Sequence, residues 1–210
     1  MSYACIKRYL DVLGAACLLV VTLPLWALIL IALALLQGRP FFYRQLRVGL
    51  HRRPFYLLKF RTMTDGTPRR RLDRPVVKDP DDPRVTPLGG LLRRSSLDEL
   101  PQLLNILHGE MSLVGPRPLP KDDLDRPEWL TAGTPEECAR RQEWLDRRHE
   151  VPPGLTGLWQ ITSNAAEDFE NWLTCDLAYV ASRSLALDLR ILLRTPGAML
   201  RGRDKVARSS

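Results

Sequence analysis

A chain of 210 residues holds one domain, or one domain with a membrane element, and has no room for a multidomain assembly. Its formal charge of +7 points to an anionic partner, whether nucleic acid, anionic lipid or a phosphorylated substrate. Four scattered cysteines and three isolated histidines give no support to a disulfide scaffold, a zinc site or a Ser/His triad.

Residues 12–36 are apolar, interrupted only by Gly14, Thr22 and Pro24. About 25 residues at 1.5 Å each reach roughly 38 Å, enough to cross a hydrocarbon core of about 30 Å. The run is too long for a cleaved signal peptide, and no small-residue cleavage site ends it. Two features pull against a simple span. Pro24, at mid-run, removes a backbone hydrogen bond and bends a helix. Basic residues flank both ends, Lys7 and Arg8 before and Arg39, Arg44, Arg47, Arg52 and Arg53 after, as expected when both ends stay cytoplasmic. Aromatics at headgroup depth bracket the run: Tyr3 and Tyr9, then Phe41, Phe42 and Tyr43. Charge and proline leave a kinked span and a re-entrant hairpin both open. Lys7, Arg8 and Asp11 have the i,i+4 and i,i+3 spacing of helix ion pairs at the membrane edge. Cys5, Cys17, Cys138 and Cys175 read as reduced, mostly buried thiols of a protein facing the cytoplasm.

Residues 41–63 alternate aromatic, apolar and basic side chains around Gly49, which predicts a hairpin with 56–60 as its best strand. Residues 64–87 are rich in Pro, Asp and Arg and read as a long loop, which in a small domain is usually functional. Ser96-x-x-Glu99 has a capping-box pattern, followed by Leu100, Leu103, Leu104 and Leu107 at helical spacing and by Gly109 as a stop. A charged helix is expected over 134–149, a turn-rich loop over 151–160, and helices over 165–181 and 185–200. The last interleaves Leu185, Leu189, Leu192 and Leu193 with Arg190, Arg194 and Arg201, suiting an anionic membrane surface or a core face equally.

Residues 95–102 read Ser-Ser-Leu-Asp-Glu-Leu-Pro-Gln, with Arg93 and Arg94 just before and Gly115-Pro116-Arg117-Pro118 soon after. Adjacent carboxylates between arginines suit phosphate chemistry, because guanidinium groups hold phosphate oxygens while a carboxylate attacks or binds metal. Taken alone, Asp98 and Glu99 need no such role: acids are common where a helix begins. Lys59 and Arg61, in Leu-Lys-Phe-Arg-Thr-Met, are candidate phosphate contacts on a strand end, and prolines on both sides of Arg117 suit rigid presentation of its guanidinium. Each of these basics also has an ordinary reading, as solvated charge or turn.

Seven segments in order carry a resemblance. They are Lys7-Arg8-x-x-Asp11; the apolar run centred on Pro24; Lys59-Phe60-Arg61-Thr62-Met63; residues 93–102; Gly115-Pro116-Arg117-Pro118; Pro153-Gly154-Leu155-Thr156-Gly157; and Asp176-x-x-Tyr179 through Asp188. Together they resemble the bacterial sugar transferases, monotopic polyprenyl-phosphate phosphoglycosyl transferases, over nearly the whole chain and in their minimal catalytic form. The resemblance implies an α+β, mainly α fold: a re-entrant membrane hairpin over 1–40 involving Lys7, Arg8, Asp11 and Pro24, and a compact catalytic domain over 41–210 with a small β hairpin and amphipathic interfacial helices. It implies a UDP-sugar and undecaprenyl phosphate as substrates, Mg²⁺ at Asp98 and Glu99, and location on the cytoplasmic face of the bacterial inner membrane among anionic lipids. Asp98 would be the nucleophile, forming a phosphosugar–aspartyl intermediate in a glycoconjugate pathway such as exopolysaccharide synthesis. Glu99 would position metal or assist the acceptor, and Lys59, Arg61, Arg93 and Arg117 would hold phosphates or nucleotide. Two positions depart from the family pattern: Leu23 stands where Ser usually precedes the bend proline, with Thr22 near enough to supply a hydroxyl, and Trp159 stands where Ala is common and would reshape the sugar pocket.

The main competing reading is a non-catalytic, membrane-anchored basic adaptor for nucleic acid or acidic proteins, motivated by the net charge and by Arg69-Arg70-Arg71. No aromatics interleave with that basic run and no nucleic-acid motif is present, so nucleic acid is not expected as a partner. A single-span protein with its soluble part outside is a third reading. A homodimer is compatible with all three.

Overall fold

A computed structural model describes residues 2–64, 82–124, 128–162 and 169–207. Helix α1 occupies Tyr3–Leu36 and starts on Ser2, whose side chain accepts from the Cys5 amide. The apolar run, read as a kinked span or a re-entrant hairpin, forms one helix that continues through Pro24. It is the one helix, among the described residues, long and apolar enough to cross a membrane. Its buried residues fall in two groups, Lys7, Asp11 and Ala15 near the start and Trp26, Ile29 and Leu33 near the end. No residue between Ala15 and Trp26 is buried, and Val20, Val21 and Leu23 are more than half exposed.

The predicted hairpin forms as strands β1 (Phe42–Val48) and β2 (Pro54–Phe60), with β4 (Leu119–Pro120) on the far side of β1. The second half of α1 packs on its end: Trp26 meets Phe60 edge-on at 5.1 Å, and Phe42 stacks on Phe60 at 5.5 Å. Asn105 closes the outer edge of β2 like a partner strand, accepting from the Leu58 amide at 3.1 Å and donating to the Tyr56 carbonyl at 2.8 Å. An unpaired edge is thereby satisfied by one side chain.

Helix α2 (Pro87–Arg94) begins at Thr86, which accepts from the Gly89 amide and from the Gln37 side chain at the end of α1. The expected capping box at Ser96 and Glu99 does not form. Ser96 adopts φ 56°, makes no side-chain cap, and leads into a 3-10 turn over Leu97–Glu99; α3 (Gln102–His108) starts only after Pro101. Glu99 has charged partners elsewhere, and these outcompete the Ser96 amide. A capping box does form where none was expected, at Thr134 and Glu137 on α6 (Pro135–Arg148). Gly109 ends α3 at φ 88°, as its sequence position predicts.

The stretch read as a turn-rich loop contains a strand, β5 (Gly154–Thr156), parallel to β3 (Ser112–Val114), and then the short α7 (Leu158–Thr162). Helices α4 (Lys121–Leu124) and α5 (Glu128–Thr131) are short connections before α6. Helix α8 (Phe169–Ser182) is seen from its Phe169 onward, residues 165–168 lying outside the described set, as does Arg69-Arg70-Arg71. Helix α9 (Leu185–Ala207) buries Asp188 and Ile191, sets Leu187, Leu192 and Ala198 against the core, and leaves Leu189, Leu193, Met199, Arg190 and Arg194 exposed. The fold is α+β and mostly helical. No disulfide joins the four cysteines; contrary to expectation only Cys175 is buried, Cys5 and Cys17 being exposed on α1.

Candidate active site

Three elements bring opposite charges to one place. Lys59 lies near the end of β2, Asp98 and Glu99 on the 3-10 turn, and Arg117 on the loop after β3. Gly89 sets the first spacing: a Cβ there would stand 1.9 Å from the Thr62 carbonyl oxygen, so only glycine lets α2 lie against the exit of β2. Glu99 Oε1 accepts from Lys59 Nζ at 2.9 Å and from Arg117 Nη2 at 2.8 Å. Asp98 is 2 % exposed and Glu99 7 %. The Glu99 carboxylate holds the Arg117 guanidinium above its ordinary pKa, and Asp98 adds to that field. Two carboxylates and two cations therefore share one buried locus, where poor solvation makes each charge depend on its neighbours.

Other predicted residues also have partners outside this cluster. Arg93, half-buried in the last turn of α2, contributes to the field on Asp82, whose carboxyl is held well below the usual range chiefly by a hydrogen bond from Arg84. Arg61 donates to the carbonyls of Gln37, Gly38 and Arg39, so its guanidinium serves the C-terminal end of α1. Lys7 pairs with Asp188 at 2.9 Å and lies 3.9 Å from Asp11, as the i,i+4 spacing predicts. Arg8 does not turn to Asp11; it donates to the Ile106 and Leu107 carbonyls, where the negative end of α3 attracts a cation. Asp11 accepts from the Ser112 hydroxyl and the Leu113 amide. Pro24 is exposed, on the largely exposed middle of α1. Trp159 is buried and stacks on Trp172 at 5.0 Å, within a cluster that includes Trp144 and Phe169.

Sequence reasoning missed three residues that organise this region: Arg47, Asn105 and Arg148. Their roles depend on chain segments far away in sequence. The one available signal was Arg148-His149 standing just before the Pro-Pro-Gly turn, where a charged side chain must come close to a rigid backbone.

Among the described residues no group of three or more His, Cys, Asp or Glu side chains could cage a metal. A magnesium ion needs no such cage, being usually held by one or two carboxylates with its remaining sites going to water and substrate phosphate.

Comparison with known proteins identifies the family. The family model for bacterial sugar transferases matches residues 2–202. The chain is 42 % identical to the sugar transferase EpsL of Bacillus subtilis, covering 90 % of this chain and 85 % of that one. It is 38 % identical to the exopolysaccharide production protein ExoY of Sinorhizobium fredii, over 90 % and 83 % of the two chains. It is 40 % identical to the UDP-glucose:undecaprenyl-phosphate glucose-1-phosphate transferase of Caulobacter vibrioides, over 92 % and 69 %. With its acid pair, its arginine loop and its apolar helix all inside the matched region, the chain belongs to the bacterial sugar transferase family.

Proposed function

We propose that this enzyme transfers a sugar 1-phosphate from a UDP-sugar to undecaprenyl phosphate, releasing UMP, at the cytoplasmic face of the membrane, as a step toward an exopolysaccharide or related glycoconjugate. The observation that carries the reading is the buried meeting of Asp98 and Glu99 with Lys59 and Arg117. In the reading, an Asp98 carboxylate oxygen attacks the sugar-linked phosphorus; the phosphorus–oxygen bond to UMP breaks, and UMP leaves with the electron pair. A phosphate oxygen of undecaprenyl phosphate then attacks the same phosphorus and returns Asp98 to its carboxylate. Lys59 and Arg117 hold the equatorial oxygens as charge builds on them. Magnesium bound to Asp98 and Glu99 would neutralise the diphosphate further. Glu99, the residue that gathers both cations, sets their spacing before substrate arrives.

Membrane attachment is read from the two ends of α1. The first is tied to α9 through Lys7 and Asp188, and the second to α2 through Gln37 and Thr86. A segment fixed at both ends to one body, with an apolar, largely exposed middle, suits entry into one leaflet and return. Thr22 donates to the Leu18 carbonyl at 2.7 Å beside Pro24, and the two together favour a bend. The outer face of α9, with Leu189, Leu193 and Met199 beside Arg190 and Arg194, suits an anionic headgroup layer.

Asp98→Asn is the direct test. With a UDP-sugar panel, undecaprenyl phosphate and Mg²⁺, the variant should release no UMP, a loss of at least about 10³-fold, and take up no radiolabelled sugar phosphate, while still binding membranes. Substantial UMP release by the variant overturns the nucleophile assignment.

A further inference from the structure

The Arg117 loop is fastened through its own backbone. Three successive carbonyls each accept from a different element. Pro116 accepts from the Gly154 amide of β5 at 2.9 Å, Arg117 from Arg148 Nη2 at the end of α6, and Pro118 from Arg47 Nη1 of β1 at 2.7 Å. Pro116 and Pro118 have no amide hydrogen, so the loop can be held only through its carbonyls and its few remaining donors. One of those, the Gly115 amide, bonds to the Thr156 carbonyl at 2.9 Å. A Cβ on Gly115 would stand 2.4 Å from the Pro152 carbonyl oxygen, so the loop lies directly against the β5 turn.

Arg148 is built for such a task. It is 3 % exposed, its guanidinium lies 4.3 Å from the centre of the Trp144 ring and 5.4 Å from that of Trp172, and Nη2 is 3.4 Å from Asp176 Oδ2. Asp176 in turn accepts from Trp144 Nε1 at 3.0 Å. A guanidinium resting on two edge-to-face indoles and addressed by a carboxylate has little freedom left, and its fork geometry passes that rigidity to the Arg117 carbonyl. Arg47 is steadied on the other side by Gln45 Oε1 at 2.6 Å.

From this we infer that Arg148 and Arg47 are positioning residues, which hold the backbone on both sides of Arg117 so that its guanidinium is delivered to the substrate diphosphate at a set distance. The inference rests on the phosphate role proposed above for Arg117. A lysine at 148 keeps the charge but loses the planar fork and the stack, so charge alone should not restore the function.

The test is a double-mutant cycle on UDP affinity, read by calorimetry or fluorescence on detergent-solubilised enzyme, with kinetics alongside. Arg117→Gln should weaken UDP binding by about 10-fold or more, the range of a charge-assisted hydrogen bond. Arg47→Gln and Arg148→Lys should each weaken it several-fold, raising KM for the UDP-sugar while KM for undecaprenyl phosphate stays unchanged. In the Arg117→Gln background both further changes should have no effect on UDP affinity, because the group they position is gone. Arg47 is half-buried, so its variant keeps the test open should Arg148→Lys fail to fold. Unchanged UDP affinity in Arg47→Gln, or losses that simply add to that of Arg117→Gln, overturns the inference alone. If Arg117→Gln itself binds UDP like the wild type, the phosphate assignment fails and the inference falls with it.

Discussion

Glu99 shows how one side chain can hold a site together and oppose its ligand at once. Its Oε1 receives both Lys59 and Arg117, the same cations assigned to the substrate phosphates. A diphosphate entering without metal must take those cations from a buried carboxylate and then sit beside its charge. Glu99→Gln should therefore bind UDP several-fold tighter than wild type in EDTA while losing turnover, and added Mg²⁺ should strengthen UDP binding in wild type only. Calorimetry with UDP decides it, and weaker binding by the variant would remove Glu99 from this role. His149 and Asp176, both beside Arg148, give opposing pH effects. Burial, with Arg148 adding, lowers the His149 pKa from 6.5 to about 4, and burial raises that of Asp176 from 3.8 to about 6. Between pH 6.5 and 4 the unfolded chain protonates His149 first, so that residue costs stability as pH falls. Asp176 does the reverse, taking its proton in the folded state first as pH falls from about 6 to 4. Each effect is on the order of 3 kcal/mol. Relative to wild type, His149→Gln should gain stability progressively as pH is lowered through that window, as thermal melts at stepped pH will show.

Helix α1 is the element that most needs anchoring, because no residue between Ala15 and Trp26 is buried. Its first turns enter a buried polar cluster in which Asp188 accepts from Lys7 at 2.9 Å, Tyr3 at 3.0 Å and Tyr179 at 2.8 Å, while the Tyr179 hydroxyl is also within 3.1 Å of the Val114 carbonyl. Lys7 and Asp188 are almost fully buried, so the pair holds only while both partners are present. Asp188→Asn should cost about 3 kcal/mol and lower Tm by several degrees, with a larger loss than any single exposed leucine of α9. If the Tm is unchanged, this cluster does not secure the helix. The element's other end depends on Arg61, which holds the three carbonyls that follow α1, and on Gln37, which reaches the cap of α2. Lys59, Phe60 and Arg61 thus divide the work where β2 ends. Adjacent strand residues face opposite ways, so Lys59 meets Glu99 while Phe60 fills the core against Trp26; Arg61, just past the strand, holds the turn that follows α1.

At the scale of the whole molecule, the fastening of both ends of α1 to one body makes a topological prediction. Cysteines placed singly at Ser2 and Arg39, in a chain with its native cysteines replaced, should react with an impermeant maleimide from the same side of sealed vesicles. Labelling from opposite sides would establish a span. The amino-acid sequence alone determined what depends on local order: the apolar run and its central proline, the hairpin, the helix stop at Gly109, the acid pair between arginines, and the ordered motifs of the family. Those features are set by period, by backbone restrictions of Gly and Pro, and by charge along neighbouring residues. The sequence also placed Asp98 and Glu99 in a helix first turn, where a local rule applied; the tertiary structure put them on a 3-10 turn, because Lys59 and Arg117 pull Glu99 away from its cap. Only tertiary structure could reveal that Arg61 serves α1 rather than the acid pair, that residues 154–156 form a strand, or that Arg47 and Arg148 hold the Arg117 loop. The reason is physical. A long basic side chain carries the same charge wherever it lies, and its task is assigned by which carbonyl or carboxylate the folded chain brings within about 3 Å of it.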